Sequence, residues 1–351
     1  MDGSAPFVYG GYMNLYLESG YLDMESIIES GYPFIFLPAA RGTGKTYGTL
    51  KYHIQHRNKI LLIRRTNKEA ELQAKKESTA YKAVMEDLGI DDWGGGGTSD
   101  GYGIVWYNNN TEEEFDIEVA YVCSLNTFAN IRGIDFSDID YIVFDEFIAE
   151  PHVRKIKNEG MALANLYESV NRNRELKGRP PVQLLCLANS VNMANDVFMY
   201  FNLIESAERM LQEGIEWMEL GNKLLIIPQY SPISERKAET ALYKAVANEF
   251  SEMAIKNKFI LNDFTYVQRR SLAEYNCIYI VGDLCMYQHK SRQEFYVSFS
   301  KGKTKEVYTN GYADLQRFRR ERWRFAGYYL DGLIRFENYR AVALWEKYFA
   351  L

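Results

Sequence analysis

Four short apolar runs punctuate the first two-thirds of the chain: Phe34–Leu37, Ile60–Ile63, Tyr141–Phe144 and Leu184–Ala188. Each is continuous rather than alternating, the pattern of a strand buried on both faces of a parallel sheet. A helix is predicted from Thr46 to about Gln55. Another is predicted over Met161–Glu175, with apolar residues at Met161, Leu163, Leu166 and Val170. Strands alternating with helices predict an α/β sheet. Gly94–Gly97 opens a polar stretch that reads as a flexible loop. Ile104–Tyr107 and the alternating Phe115–Val122 predict a hairpin beside the sheet.

The pattern changes after Phe201. Glu205–Glu219 reads as a helix, Leu224–Ile227 as a short strand and Ser234–Met253 as a charged helix. Residues 204–258 are therefore expected to be a connector between a first domain, 1–203, and a last one, 259–351. The last part is strand-rich, with Cys277–Tyr287 and Glu294–Ser300 on either side of a polar turn. A basic helical end follows from Ala313.

Composition narrows the class. At 47% hydrophobic and 15% aromatic, the 351-residue chain is globular rather than disordered. Four cysteines without a CxxC pair suit a reducing compartment. His53 and His56 lack a second ligand pair, so zinc is not expected. The MDGSAPF start has no basic and apolar leader, and no apolar run nears the roughly 20 residues of a membrane span. A soluble intracellular protein is expected. The net charge is −6, yet Cys285–Arg324 holds ten Lys/Arg against four Asp/Glu. A basic C-terminal module on an acidic body is the better description.

The sharpest motif is Ala39-Ala40-Arg41-Gly42-Thr43-Gly44-Lys45-Thr46, directly after Phe34–Leu37. It matches the phosphate-loop pattern GxxxxGK[ST] except for Ala at the first position. Ala40 to Thr46 would wrap backbone N–H groups around phosphates, with Lys45 on the β/γ-phosphates and the Thr46 hydroxyl on Mg²⁺. The following helix adds its positive end. About a hundred residues on, Tyr141–Phe144 ends in Asp145-Glu146. Asp145 is the candidate Mg²⁺ ligand, and Glu146 the candidate base that polarises the attacking water. An adjacent acid pair favours hydrolysis of ATP over transfer to another acceptor. Arg41 could reach the γ-phosphate from within the loop. Asn189, at the end of Leu184–Ala188, is the candidate sensor of that phosphate.

With these motifs in place, the sequence resembles the DNA-packaging (encapsidation) ATPases of phi-29-like tailed phages, relatives of the large terminase ATPases. The likeness rests on Ala40–Tyr47, Ile142–Ile148, Asn171-Arg172-Asn173-Arg174-Glu175 and Cys186–Ser190 running on to Tyr200-Phe201-Asn202-Leu203. It implies an ASCE/RecA-like P-loop domain and a C-terminal domain like a ribonuclease-H-type nuclease without its catalytic acids. It further implies a homomeric ring, of five subunits in this family, at the portal of an empty capsid. That ring would act in the host cytoplasm and be absent from the mature virion. Its partners would be double-stranded DNA and the portal, with a structural packaging RNA left open as a third. Arg172 matches the finger that reaches a neighbour's ATP, with Arg132 a second candidate.

Arg317, Arg319, Arg320, Arg322 and Arg324 are candidate contacts to DNA or RNA phosphates. Lys68, Lys75, Lys76 and the Gly94–Asp100 loop are candidate grips in a pore. Asp283 stands among Lys, Arg, Tyr and Gln, so cleavage is not expected. Two other classes remain open: a P-loop helicase or translocase not tied to packaging, and an assembly protein in which ATP only fixes ring geometry.

Overall fold

The structure, a computed structural model, describes residues 13–77, 80–99, 101–108, 116–128, 133–149, 156–189, 192–233, 236, 239–245 and 266–350. The chain divides into two compact units. One comprises Met1–Val191 with Arg209–Ile260, the other Asn192–Glu208 with Leu261–Leu351.

Among the described residues the first unit holds one nine-stranded sheet. Its strands are β1 (Phe34–Pro38), β2 (Ile60–Arg64), β3 (Trp93–Gly97), β4 (Gly103–Asn108), β5 (Asp116–Ser124), β6 (Tyr141–Asp145), β7 (Gln183–Ala188), β8 (Trp217–Leu220) and β9 (Lys223–Ile226). Their order is β3-β4-β5-β2-β6-β7-β1-β9-β8. The five from β5 to β1, together with β9, run parallel. The four apolar runs are the centre of this sheet, and β2 and β7 are buried along their whole length. A strand covered on both faces has no solvent side to encode, which is why these runs do not alternate. β4, nearer the edge, does alternate in burial.

Helices α1 (Met24–Glu29), α2 (Lys45–Gln55), α3 (Asn67–Gln73), α4 (Tyr81–Asp87) and α5 (Glu159–Asn171) belong to the same unit. The start of α3 is fixed by a capping box, with the Thr66 hydroxyl accepting from the Glu69 amide and the Glu69 carboxylate accepting from the Thr66 amide.

Two expectations are corrected here. Gly94–Gly97 is not a free loop but most of the edge strand β3, antiparallel to β4. A side chain at Gly95 would lie 2.4 Å from the Ala74 carbonyl, so glycine allows the strand to pass close to the end of α3. Asp100 lies outside the described residues. Within the expected connector 204–258, residues 217–226 are likewise part of the first unit's sheet. Trp217–Glu219, expected as helix, lies in β8, and β9 pairs in parallel with β1. Gly214 (φ 70°) ends the helix Ile204–Glu213, and the chain turns into this hairpin. Of the expected Ser234–Met253 helix, Ala241–Ala245 is helical, and its neighbours on either side fall largely outside the described residues.

The second unit has, among its described residues, a five-stranded sheet of order β13-β10-β11-β12-β14. Its strands are β10 (Tyr275–Val281), β11 (Leu284–His289), β12 (Phe295–Ser298), β13 (Val307–Tyr308) and β14 (Ile334–Phe336). The strand-rich run Cys277–Tyr287 lies in the β10–β11 hairpin, which turns at Gly282-Asp283. A long C-terminal helix (Tyr339–Phe349) buries Trp345, and Phe318 is buried with it in an aromatic core. No helix among the described residues is long and apolar enough to cross a membrane.

Candidate nucleotide site

The motif residues meet at the carboxyl edge of the nine-stranded sheet. Pro38 of β1 pairs with Ala188 of β7, and Leu187 pairs with Asp145 of β6. Strand β7 therefore lies between the phosphate-loop strand and the acid-bearing strand. Asn189, half-buried, follows immediately at the same edge. Such a crevice at the strand ends is where open α/β sheets hold ligands.

The loop is shaped as the motif requires. Gly44, at the N-cap of α2, has φ 88°, and a side chain there would meet the Tyr21 ring at 3.2 Å. The Thr43 hydroxyl donates to the Ala40 carbonyl at 2.9 Å. Lys45 is buried and folds back, its Nζ donating to the carbonyls of Ala39 (2.7 Å) and Ala40 (2.8 Å). Arg41 is half-buried in the same loop. The Thr46 hydroxyl donates to Asp145 Oδ2 at 3.1 Å, so the two residues expected to share a cation already touch.

Arg64 is the residue that motif reasoning missed. Ile63 pairs with Phe144, which brings Arg64 and Asp145 side by side at the ends of β2 and β6. Its Nη1 donates to Asp145 Oδ2 at 2.6 Å and its Nη2 to Glu146 Oε2 at 2.9 Å. A signal was present: a charged residue closing a fully buried apolar run needs a charged partner. Glu146 itself has φ 62°, in the left-handed region.

Beside Gly42 and Gly44 opens a cavity of about 860 Å³, lined by Tyr21, Glu25, Tyr47, Lys51 and Asp87 among others. The Tyr47 hydroxyl donates to Asp87 at 2.6 Å, and that bond, with burial, raises the phenol to about 12.

Arg172 does not join this cluster. It caps α5, which leads back from the acid strand to the opposite edge of the sheet. There Nη1 donates to Asp135 at 3.0 Å and Nη2 to the Ile134 carbonyl at 2.9 Å. Nearby Arg174 is buried against Asp140 and the carbonyls of Ser137 and Ile139. Arg132 lies outside the described residues.

The basic cluster of the second unit is partly spoken for. Arg319 caps Tyr348 and Lys347 carbonyls, Arg322 pairs with Glu306, and Arg317 pairs with Asp314. Arg320 and Arg324 are exposed, and Arg324 stands over the exposed Trp323 ring.

A largely parallel sheet carrying a glycine-bearing strand-to-helix loop and an acid pair at one edge defines a mixed α/β protein whose motif residues meet in a strand-end crevice. The model of the Podovirus DNA encapsidation protein (Gp16) family matches residues 18–344, and the chain belongs to that family. The DNA packaging protein of Bacillus phage phi29 is 30% identical over 149 residues, a match that covers 42% of this chain and 42% of that relative's length. The fold is that of the solved structure titled "The Phi-28 gp11 DNA packaging Motor" (TM-score 0.65, 15% identity, covering 94% of this chain and 98% of that one). The structure of the bacteriophage Phi-29 genome packaging motor assembly is similar too (TM-score 0.62, 21% identity, 93% and 99% covered).

Proposed function

We propose that this chain is the ATPase subunit of a viral genome-packaging motor that drives double-stranded DNA into a procapsid. Family membership supports the packaging role. The observation that carries the ATPase reading is the Thr46–Asp145 hydrogen bond, which joins the phosphate loop to the acid strand. The inserted strand β7 supports an ASCE/RecA-like P-loop domain.

The residues present fit Mg-ATP. Backbone N–H groups of Gly42–Thr46 and the first turn of α2 would hold the phosphates, and Lys45 would exchange its loop carbonyls for phosphate oxygens. Thr46 and Asp145 would hold the magnesium ion, which when bound neutralises phosphate charge. The 860 Å³ cavity beside the loop is roomy enough for the base. Glu146 would polarise the attacking water, Arg41 would offset charge on the γ-phosphate, and Asn189 would sense that phosphate.

Arg172 would act on a neighbouring subunit's nucleotide within a homomeric ring of five, and Arg132 is the alternative finger. Lys68, Lys75 and Lys76 are exposed on and just after α3, which follows Arg64, and would grip DNA phosphates independently of sequence. The second unit would be a vestigial ribonuclease-H-like domain that binds but does not cut. Exposed Arg320 and Arg324 would contact DNA or a structural packaging RNA. The ring would act on the portal in the host cytoplasm and leave before the virion matures.

The test is DNA protection from nuclease by procapsids supplied with this protein and ATP. Protection that needs ATP and fails with Lys45→Ala is expected. Equal protection without ATP, or with that variant, overturns the reading.

A further inference from the structure

Two neighbouring arginines at the end of β2 divide the acid loop between them. Arg64 holds the side chains of Asp145 and Glu146. Arg65 engages the next residue by its backbone, its Nη1 donating to the Phe147 carbonyl at 2.9 Å. The same guanidinium grips both carboxylate oxygens of Glu159, Nη2 reaching Oε2 at 3.1 Å. Arg65 is only 2% exposed and Glu159 6%. Glu159 opens α5, where the helix dipole also favours a carboxylate. Asn126 holds the Arg65 carbonyl at 3.2 Å, which fixes the arginine's own backbone.

This clamp bears on Glu146. A glutamate at φ 62° persists only where its surroundings over-determine it. The residue after it is pinned at both ends of its backbone: the Phe147 amide donates to the Leu187 carbonyl at 3.1 Å, and its carbonyl accepts from Arg65. Its ring is fully buried, edge-on to Phe36.

We propose that Arg65 is a positioning residue for hydrolysis: through the Phe147 carbonyl it holds Glu146 in the left-handed turn that sets where the catalytic carboxylate lies, and Glu159 holds Arg65 to that task. A planar fork meets the carbonyl and both carboxylate oxygens in one fixed geometry, which the point charge of a lysine does not reproduce. The inference rests on the reading of Glu146 as the base.

The experiment compares Arg65→Lys, Glu159→Gln and Glu146→Gln for kcat, affinity for a non-hydrolysable ATP analogue, and melting temperature. Arg65→Lys is expected to lower kcat by about 10²-fold, the scale of a small misplacement of a catalytic group, while analogue affinity holds. Glu159→Gln keeps shape and one acceptor, and is expected to lose less in the same direction. Wild-type kcat in Glu159→Gln or a folded Arg65→Lys overturns the proposal, as does a loss of kcat and affinity in step with melting temperature. If Glu146→Gln itself turns over ATP normally, the reading beneath the proposal fails instead.

Discussion

Arg64 and Asp145 meet at 2.6 Å, each with a side chain only 9% exposed, at the point where a magnesium ligand is expected. A guanidinium thus holds the charge position beside Thr46. When one partner of a buried pair is removed, an uncompensated charge costs about 3–5 kcal/mol. Arg64→Ala is expected to lose about that much stability without nucleotide, because Asp145 and Glu146 then face each other unpaired. Much of the loss should return on adding Mg-ATP. Thermal melts with and without Mg-ATP check this, and a melting point unmoved by the substitution would contradict it.

Lys45→Ala removes the ammonium that now caps the Ala39 and Ala40 carbonyls. Titration with a fluorescent ATP analogue should show affinity weakened by at least tenfold, about 1.4 kcal/mol. DNA-stimulated turnover should vanish. Wild-type turnover in this variant would remove the nucleotide-site assignment.

Glu146→Gln keeps the size of the side chain and its ability to meet Arg64. ATP binding should persist while hydrolysis falls by 10²-fold or more, the usual weight of a general base (about 10²–10⁴-fold). A motor carrying it should hold DNA and stall. Packaging at the normal rate would instead favour an assembly protein that needs only bound nucleotide.

Arg172→Ala and Glu146→Gln should each inactivate a pure ring. In mixed rings, some interfaces pair an intact Glu146 with a neighbour's intact Arg172, so part of the ATPase activity should return. A mixing curve that stays flat at zero would count against an arginine acting between subunits.

Acid sensitivity has a named source in His53. Burial, with a smaller push from His56, lowers its pKa from 6.5 to about 3, while its ring packs at a tilt against Tyr141. The unfolded chain therefore takes up a proton that the folded one refuses. This group leaves stability untouched above about pH 6.5 and erodes it as pH falls toward 3, by up to about 1.4 kcal/mol per unit. His53→Gln should flatten the pH dependence of urea midpoints in that window. An unchanged slope would show that other groups set it.

The central sheet was legible because strands buried on both faces write themselves as unbroken apolar runs, and the loop because Gly44 must take a left-handed turn before α2. Other parts were hidden for physical reasons. The β10–β11 hairpin turns within Gly282-Asp283, too short a polar interruption to break the run from Cys277 to Tyr287. β8 and β9 are four residues each, and β9 joins the sheet beside a partner almost two hundred positions earlier. Arg64 looked like an ordinary polar strand end, because only the register of β2 against β6 brings it to Asp145. The role of Arg172 came from resemblance, since its own surroundings, Asp135 and Ile134, read as a simple helix-end contact.

That placement constrains how copies of the chain can be arranged. The phosphate loop and Arg172 occupy opposite rims of one sheet, so with Arg172 proposed to serve a neighbour's nucleotide, a subunit would present a socket on one side and a plug on the other. A self-complementary pair about a two-fold axis would bury one kind of surface against itself and leave the other unused. Repeated plug-to-socket contacts leave nothing unmatched only when the rotation between copies closes on itself. A small error in that angle would yield an open spiral, whose first subunit has a vacant plug and whose last has an unserved nucleotide.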